Sequence, residues 1–299
     1  MAVLSNPAPR VLITGATAGI GRATALHLAR AGHSVIATGR NQEALGDLRA
    51  EAEDLGGAGQ VLTEYLDVTD AASIARCREV VQEAYGDVPD ALVNNAGFSA
   101  PGPLEMVSAA ELQAQFDTNV FGLLAVIREF VPGMRRRGFG RIVNVSSVMG
   151  RMALPLHGPY NASKYAVEGL TDALRMELAP FGITVVAVMP GTTNTAGHRG
   201  RALSHLRPYG ENGSPYAGGV QGVEKAYEKA FSRAPEPDRI AKLIERAISD
   251  RRPAARYMRL EDRLTVNVAS RVPTALIDRI KRRAVGYGSG AATPSKPAA

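Results

Sequence analysis

The 299-residue sequence has no tryptophan, a single cysteine and only 5% aromatic residues. One thiol cannot build a disulfide framework, so a reducing, cytoplasmic setting is expected. Cys77 lies between Arg76 and Arg78. Those charges could favour a thiolate, whereas the helical pattern around them favours a small packed side chain. No apolar run approaches the roughly 18 to 20 residues a bilayer-spanning helix needs. The opening MAVLSNPAPRVLITGA has no basic start followed by a long apolar stretch, so no signal peptide is expected. Zinc-knuckle, helix-turn-helix and aromatic stacking signatures are missing, so neither nucleic acid nor a metal ion is an expected ligand.

The formal charge of +6 is unevenly placed. Residues 233–283 carry 14 Lys and Arg against 7 Asp and Glu, which leaves the remainder slightly acidic. The excess is therefore a property of the C-terminal region. It reads either as a solvated face of arginine-rich helices or as a surface for anions, and peripheral contact with anionic membrane is one such use.

With 45% apolar residues the chain can fill a globular core. VLIT (11–14), SVIAT (34–38), VLTEYLDV (61–68), ALVNNAG (91–97), RIVNVSS (141–147) and ITVVAVMPG (183–191) read as short strands rich in Val and Ile. Stretches with apolar residues three and four apart lie between them, GRATALHLARAG among them. Continuous apolar strands alternating with helices predict a doubly wound parallel sheet, an α/β Rossmann fold with helices on both faces. No linker interrupts the pattern, so residues 1–283 are expected to form one domain. After Gly191 the composition changes. Residues 196–222 are rich in Gly, Pro, Ser and Arg and read as an irregular lid or binding loop, within a lid segment spanning about 192–235. A basic extension follows over 236–283, with EPDRIAKLIERAISD as a helix, ARYMRL as a short strand, and Pro273 opening a further helix. Residues 284–299 have the composition of a disordered tail.

Two stretches carry chemistry on their own terms. TGATAGIGRATA (14–25) sets Gly15, Gly19 and Gly21 between the first strand and its helix, where a pyrophosphate can approach backbone amides at a helix N-terminus. A lysine followed by Ser or Thr, as a phosphate loop requires, does not occur there. At the end of the second strand an acid would hold the 2′-hydroxyl of NAD(H). The sequence instead places Gly39 and Arg40 there, which favours the 2′-phosphate of NADP(H) over NAD(H).

In order and spacing, these and further motifs resemble the short-chain dehydrogenase/reductases, over about residues 10–195. TGATAGIG is similar to the family's cofactor turn, with Thr17 and Ile20 inside it. Asp67 and Val68 match the pair bordering the adenine, and NNAG (Asn94, Ala96, Gly97) matches the strand-four motif. Asn119 aligns with the family's helix asparagine, Ser147 with its serine, and YNASK with its Tyr160-x-x-x-Lys164. PGTTNT supplies Pro190, Gly191, Thr193 and Thr195 to the motif that closes over the nicotinamide. Many NADP-users in the family carry a basic residue before the second glycine, and here that residue is Ala18.

The resemblance implies that Asn119, Ser147, Tyr160 and Lys164 are catalytic, Asn119 holding a water that links Lys164 to solvent. It also implies that Tyr160 and Lys164 contact the cofactor. A free phenol ionises near pH 10, so a tyrosine working near neutrality needs a shift of about three pH units, or roughly 4 kcal/mol. Lys164 shares a helix face with Tyr160 and is expected to supply much of it. Met149, His157, Ser147 and Tyr160 are candidates for substrate contact, with Met152, Leu154, Leu156, Tyr209 and Tyr216 completing an apolar pocket. The long segment after Gly191 and the RYMRL extension resemble the branch around hydroxysteroid and retinol dehydrogenases, so a hydrophobic ketone, aldehyde or alcohol is the expected substrate. A carrier-tethered 3-oxoacyl substrate and a non-catalytic NADP(H)-sensing protein are the alternatives. A homodimer or homotetramer is implied by the family.

Overall fold

The computed structural model describes residues 8–55, 59–211 and 213–286. Seven parallel strands form one sheet in the order β3-β2-β1-β4-β5-β6-β7. The strands are β1 (Arg10–Ile13), β2 (Ser34–Gly39), β3 (Gln60–Tyr65), β4 (Ala91–Asn94), β5 (Gly140–Val145), β6 (Ile183–Val188) and β7 (Arg256–Tyr257). The order reverses after β1, so the loops leaving β1 and β4 diverge and open a crevice at the C-terminal edge.

Side chains alternate across each strand and so feed two cores. Val11, Ile13, Val35, Ala37, Val143 and Val145 face one side, under α1 (Gly19–Arg30), α2 (Gln42–Asp54) and α9 (Asp238–Ser249). Leu12, Ile36, Leu92 and Ile142 face the other, under α3 (Ala71–Tyr85), α5 (Leu123–Arg137) and α6 (Gly158–Leu178). The remaining helices are α4 (Ala109–Phe116), joined to α5 by a π-helical segment (Asp117–Gly122), then α7 (Ala196–Leu206), α8 (Ala217–Phe231), α10 (Leu260–Ala269) and α11 (Thr274–Ala284).

The region after β6 differs from the expected irregular loop. Residues 196–206 and 217–231 are helices despite their glycines. Intrinsic propensity is a weak prior, and here burial overrides it. Leu206, Val220 and Val223 pack with Leu156 and Val285 in a third cluster, flanked by Tyr209, Tyr216 and Tyr227. The same cluster corrects the expected start of the tail. Ala284 ends α11 and Val285 is only 6% exposed in the lid core, while residues 287–299 lie outside the described residues. The RYMRL strand shrinks to Arg256 and Tyr257, because Leu260 already starts α10.

Candidate active site

Two of the turn glycines are required by geometry. Gly15 has φ +67°, a left-handed conformation that side chains disfavour, and a Cβ there would stand 2.7 Å from the Ala96 Cα. Gly19 (φ +57°) faces the Thr195 methyl group, so the segment after β6 folds back over the turn. The N-terminus of α1 has no side-chain cap, which leaves its first amides and dipole free for an anion. Thr17 lies against Gly39 at the end of β2. The Arg40 side chain is 61% exposed and reaches Asp67 at 3.7 Å. A pair that open to water is weak, so the guanidinium remains free to take an incoming anion. Burial tends to raise the Asp67 carboxyl, but hydrogen bonds from Thr69 and the charge of Arg40 bring it below the usual range. Val68 is buried against Gly122. These residues therefore fit a dinucleotide: a helix N-terminus without a side-chain cap, a glycine turn that a Cβ would fill, and an exposed cation at the end of β2.

The loop after β4 divides its two asparagines. The Asn94 side chain is buried in the sheet, donating to the Asn144 amide oxygen at 2.9 Å. Asn95, which sequence reasoning did not single out, donates to the Thr14 and Gly15 carbonyls at 3.0 and 2.8 Å. The Thr14 hydroxyl in turn accepts from the amides of Asn95 and Ala96. Strand alternation turns the Asn94 side chain into the sheet and the Asn95 side chain toward the glycine turn.

Asn119 sits in the π-helical segment, an interruption often found at functional sites. Its amide oxygen accepts from Phe98 N at 3.0 Å, and its nitrogen donates to Phe98 O and to the Ser163 hydroxyl. The Asn119 side chain thereby clamps the β4 loop to α6. Gly97, next to that clamp, keeps open the space between Asn119 and Lys164: a Cβ there would lie 3.0 Å from Asn119 Oδ1 and 3.7 Å from Lys164 Nζ.

Ser147 follows β5, accepts from Met149 N at 3.1 Å, and donates weakly to the Pro190 carbonyl at 3.4 Å. Pro159 in the first turn of α6 presets the helix, which puts Tyr160 at its mouth and Lys164 one turn deeper. Tyr160 is half-buried and hydrogen-bonded to Ser147. Lys164 is 5% exposed, donates to the Val145 carbonyl at 2.9 Å, and holds its ammonium 5.8 Å from the Tyr160 ring centroid. The three side chains do converge on one crevice.

Their acidities depart from the expectation. Burial pushes the Tyr160 phenol up to about 12, against the Ser147 hydrogen bond. Burial pulls Lys164 down to about 8, against the attraction of Glu168. Desolvation is the larger influence on both, so both groups are pushed toward neutrality. Cys77 is fully buried and its thiol pushed up to about 12 by burial, which settles it as a packed side chain.

Over the crevice lie α7 and α8. Pro190, Gly191 and Thr193 lead into them: Pro190 O accepts from Val148 N, and the buried Thr193 hydroxyl donates to Gly191 O. His205 of α7 stacks on Phe98 with centroids 6.4 Å apart. Tyr209 packs on Gly102, and the Tyr216 hydroxyl bonds Glu105. Met149 is half-buried beside Ser147. His157 does not offer itself to a substrate. It is 2% exposed, with Nδ1 2.9 Å from the Pro155 carbonyl and Nε2 2.6 Å from the Tyr227 hydroxyl. A carbonyl only accepts, so Nδ1 carries the proton, and Tyr227 of α8 donates to Nε2. Leu156 before it adopts φ 61°, a strained conformation for a branched residue, and carries its side chain into the lid core. Tyr227 lies 70 residues downstream, so no local signal could have linked it to His157.

A family model described as short chain dehydrogenase matches residues 9–203. The chain belongs to that family of nicotinamide-dependent oxidoreductases. It is 34% identical over 246 residues to a 3-ketodihydrosphingosine reductase of Bacteroides thetaiotaomicron, covering 82% of this chain and 86% of that one. It is 43% identical over 186 residues to an NADPH-dependent pterin aldehyde reductase of Arabidopsis thaliana, covering 62% and 75%. Among solved structures, a short-chain dehydrogenase/reductase from Burkholderia phymatum in complex with NAD matches with a TM-score of 0.76 and 27% identity over 88% of this chain and 94% of that one.

The His157–Tyr227 bond makes the lid's stability testable. Tyr227→Phe leaves a buried imidazole nitrogen without its donor, at about 1–3 kcal/mol, and should lower the thermal midpoint. Burial holds the His157 pKa below its ordinary value, so the unfolded chain takes up a proton first. Wild-type stability should therefore decline as pH falls below about 6.5. His157→Asn should flatten that decline in a urea titration across pH; an unchanged slope would detach it from His157.

Proposed function

We propose that this protein is an NADP(H)-dependent oxidoreductase that interconverts a hydrophobic ketone or aldehyde and its alcohol, with Tyr160 as general acid and base. The observation that carries the reading is the convergence of Ser147, Tyr160 and Lys164 beside Gly97, at the sheet's C-terminal edge and next to the glycine turn. The cofactor supplies the hydride that reduces the carbonyl carbon.

The residues then have distinct parts. Tyr160 gives its hydroxyl proton to the carbonyl oxygen as negative charge gathers there. A phenol whose acidity is suppressed by burial stays protonated until that oxygen demands the proton, which suits reduction. The Ser147 hydroxyl accepts from Met149 N and donates to Pro190 O at a long 3.4 Å, so its proton can turn to the same oxygen. The resulting phenolate is favoured by Lys164, one helical turn deeper. Alcohol oxidation reverses each transfer. Met149, Leu154 and the tyrosines of the lid supply an apolar surround, which supports a hydrophobic substrate. Gly15, Thr17, Gly19, Ile20 and Gly21 would hold the pyrophosphate, and Arg40 the 2′-phosphate. The absence of any acid at the end of β2 supports NADP(H).

Tyr160→Phe should retain NADPH binding, followed by fluorescence, while turnover drops by about 10²–10⁴-fold; near-normal turnover would remove Tyr160 from proton transfer. Arg40→Asp replaces attraction with repulsion at the ribose and should move the NADPH-to-NADH ratio of kcat/KM toward NADH by about tenfold or more. An unmoved ratio would assign the phosphate to other groups. Protonated Tyr160 and charged Lys164 serve reduction, so kcat/KM for reduction should fall as pH rises beyond about 8, while that for oxidation rises. A reductive rate that climbs over the same range would reverse the assignment.

A further inference from the structure

α10 and α11 bury none of their own residues against the rest of the fold. Leu260, Leu264 and Val268 recur every fourth residue of α10 and are 60%, 55% and 61% exposed. Leu276 and Ile280 repeat the spacing on α11 at 49% and 51%. Helices with apolar faces this bare normally have a covering partner. From Leu260 to Ala284 the sequence has six Lys and Arg against three Asp and Glu. Two of those acids, Glu261 and Asp262, are engaged by Arg259 just outside the segment. The uncompensated charge beside the apolar stripe is thus basic: Arg263, Arg271, Arg279, Arg282 and Arg283 are all exposed.

We propose that these two helices dock the protein on an anionic lipid surface, the apolar stripe sinking among acyl chains and the arginines meeting headgroups. Other coverings fit less well. A second copy would set the same basic segment against itself in an isologous contact. Residues 287–299 contain no Leu, Ile, Val, Met or Phe with which to cover five large side chains. The start of α10 touches Gly191 through Asp262, at the sheet's C-terminal edge. The surface also adjoins the loop that leads into α6. α11 lines a groove with Leu154 and Pro155 through Ala275, Lys281 and Arg282, and the chain beyond it places Val285 in the lid core. An apolar molecule dissolved in the bilayer would meet the protein beside its lid. The docking itself does not depend on the reaction proposed above.

The test is flotation of the full-length protein with vesicles of phosphatidylcholine alone or with about 30% phosphatidylglycerol, at low and high salt. Binding to the anionic vesicles should exceed that to the neutral ones by at least about tenfold and weaken with salt. Leu264→Glu with Ile280→Glu should lose about tenfold or more of it. Neither side chain is buried, so the thermal midpoint should hold. Arg279→Gln, Arg282→Gln and Arg283→Gln together should weaken anionic binding by more than tenfold and flatten its salt dependence. No binding at low salt would overturn the proposal, as would wild-type binding by both variants. So would self-association abolished by the Leu264/Ile280 change in a protein that ignores vesicles, since the face would then belong to a second copy.

Discussion

Keeping one ammonium inside the protein constrains everything around it. An unsupported buried cation costs several kcal/mol, so Lys164 is tolerable at 5% exposure only with partners. The Val145 carbonyl at the end of β5 accepts a hydrogen bond from it, and Glu168 one turn further along α6 offers charge. Glu168 is itself 3% exposed and is held by Arg256 at 2.7 Å and Arg151 at 3.3 Å. Arg256 belongs to β7 and also grips Asp172. The chain of contacts from Lys164 to the sheet's last strand therefore fixes α6 on its own lysine. Tyr160 inherits its position from that anchoring.

A second constraint comes from above. The lid helices are not a loose cover, because they share a core with the loop that carries Leu156 and His157. His205 on Phe98 and Tyr227 on His157 tie the lid to both walls of the crevice. Phe98 is in turn clamped by Asn119. The π-helical interruption of the α4–α5 helix thus reaches the lid through two side chains. The helices after β6, the β4 loop and the segment leading into α6 are built on one connected set of contacts.

Much of this was legible in advance. Runs such as VLIT and RIVNVSS are continuous because both faces of a parallel strand are covered, so the α/β order could be read from local pattern. Gly15 and Gly19, and Tyr160 four residues before Lys164, were likewise visible, since turn chemistry and helical spacing are local. The helices of the segment after β6 are hidden from local pattern for a physical reason: the glycines of 196–222 lower helix propensity, while the Leu206, Val220 and Val223 contacts that restore it come from distant partners. Asn94 and Asn95 could not be told apart until the strand's phase was fixed. His157 looked available because nothing near it in sequence announces Tyr227.

The sequence by itself determined the layered architecture, the glycine turn at a helix N-terminus, and the pairing of a phenol with an amine on one helix face. All three follow from periodicity and residue type within a few positions. Tertiary structure decided how far that pair is desolvated, the helical lid, the burial of His157 against Tyr227 and the bareness of α10 and α11. Those depend on desolvation and on which surfaces meet. Such quantities are set by atoms far apart in the chain, so no window along it contains them.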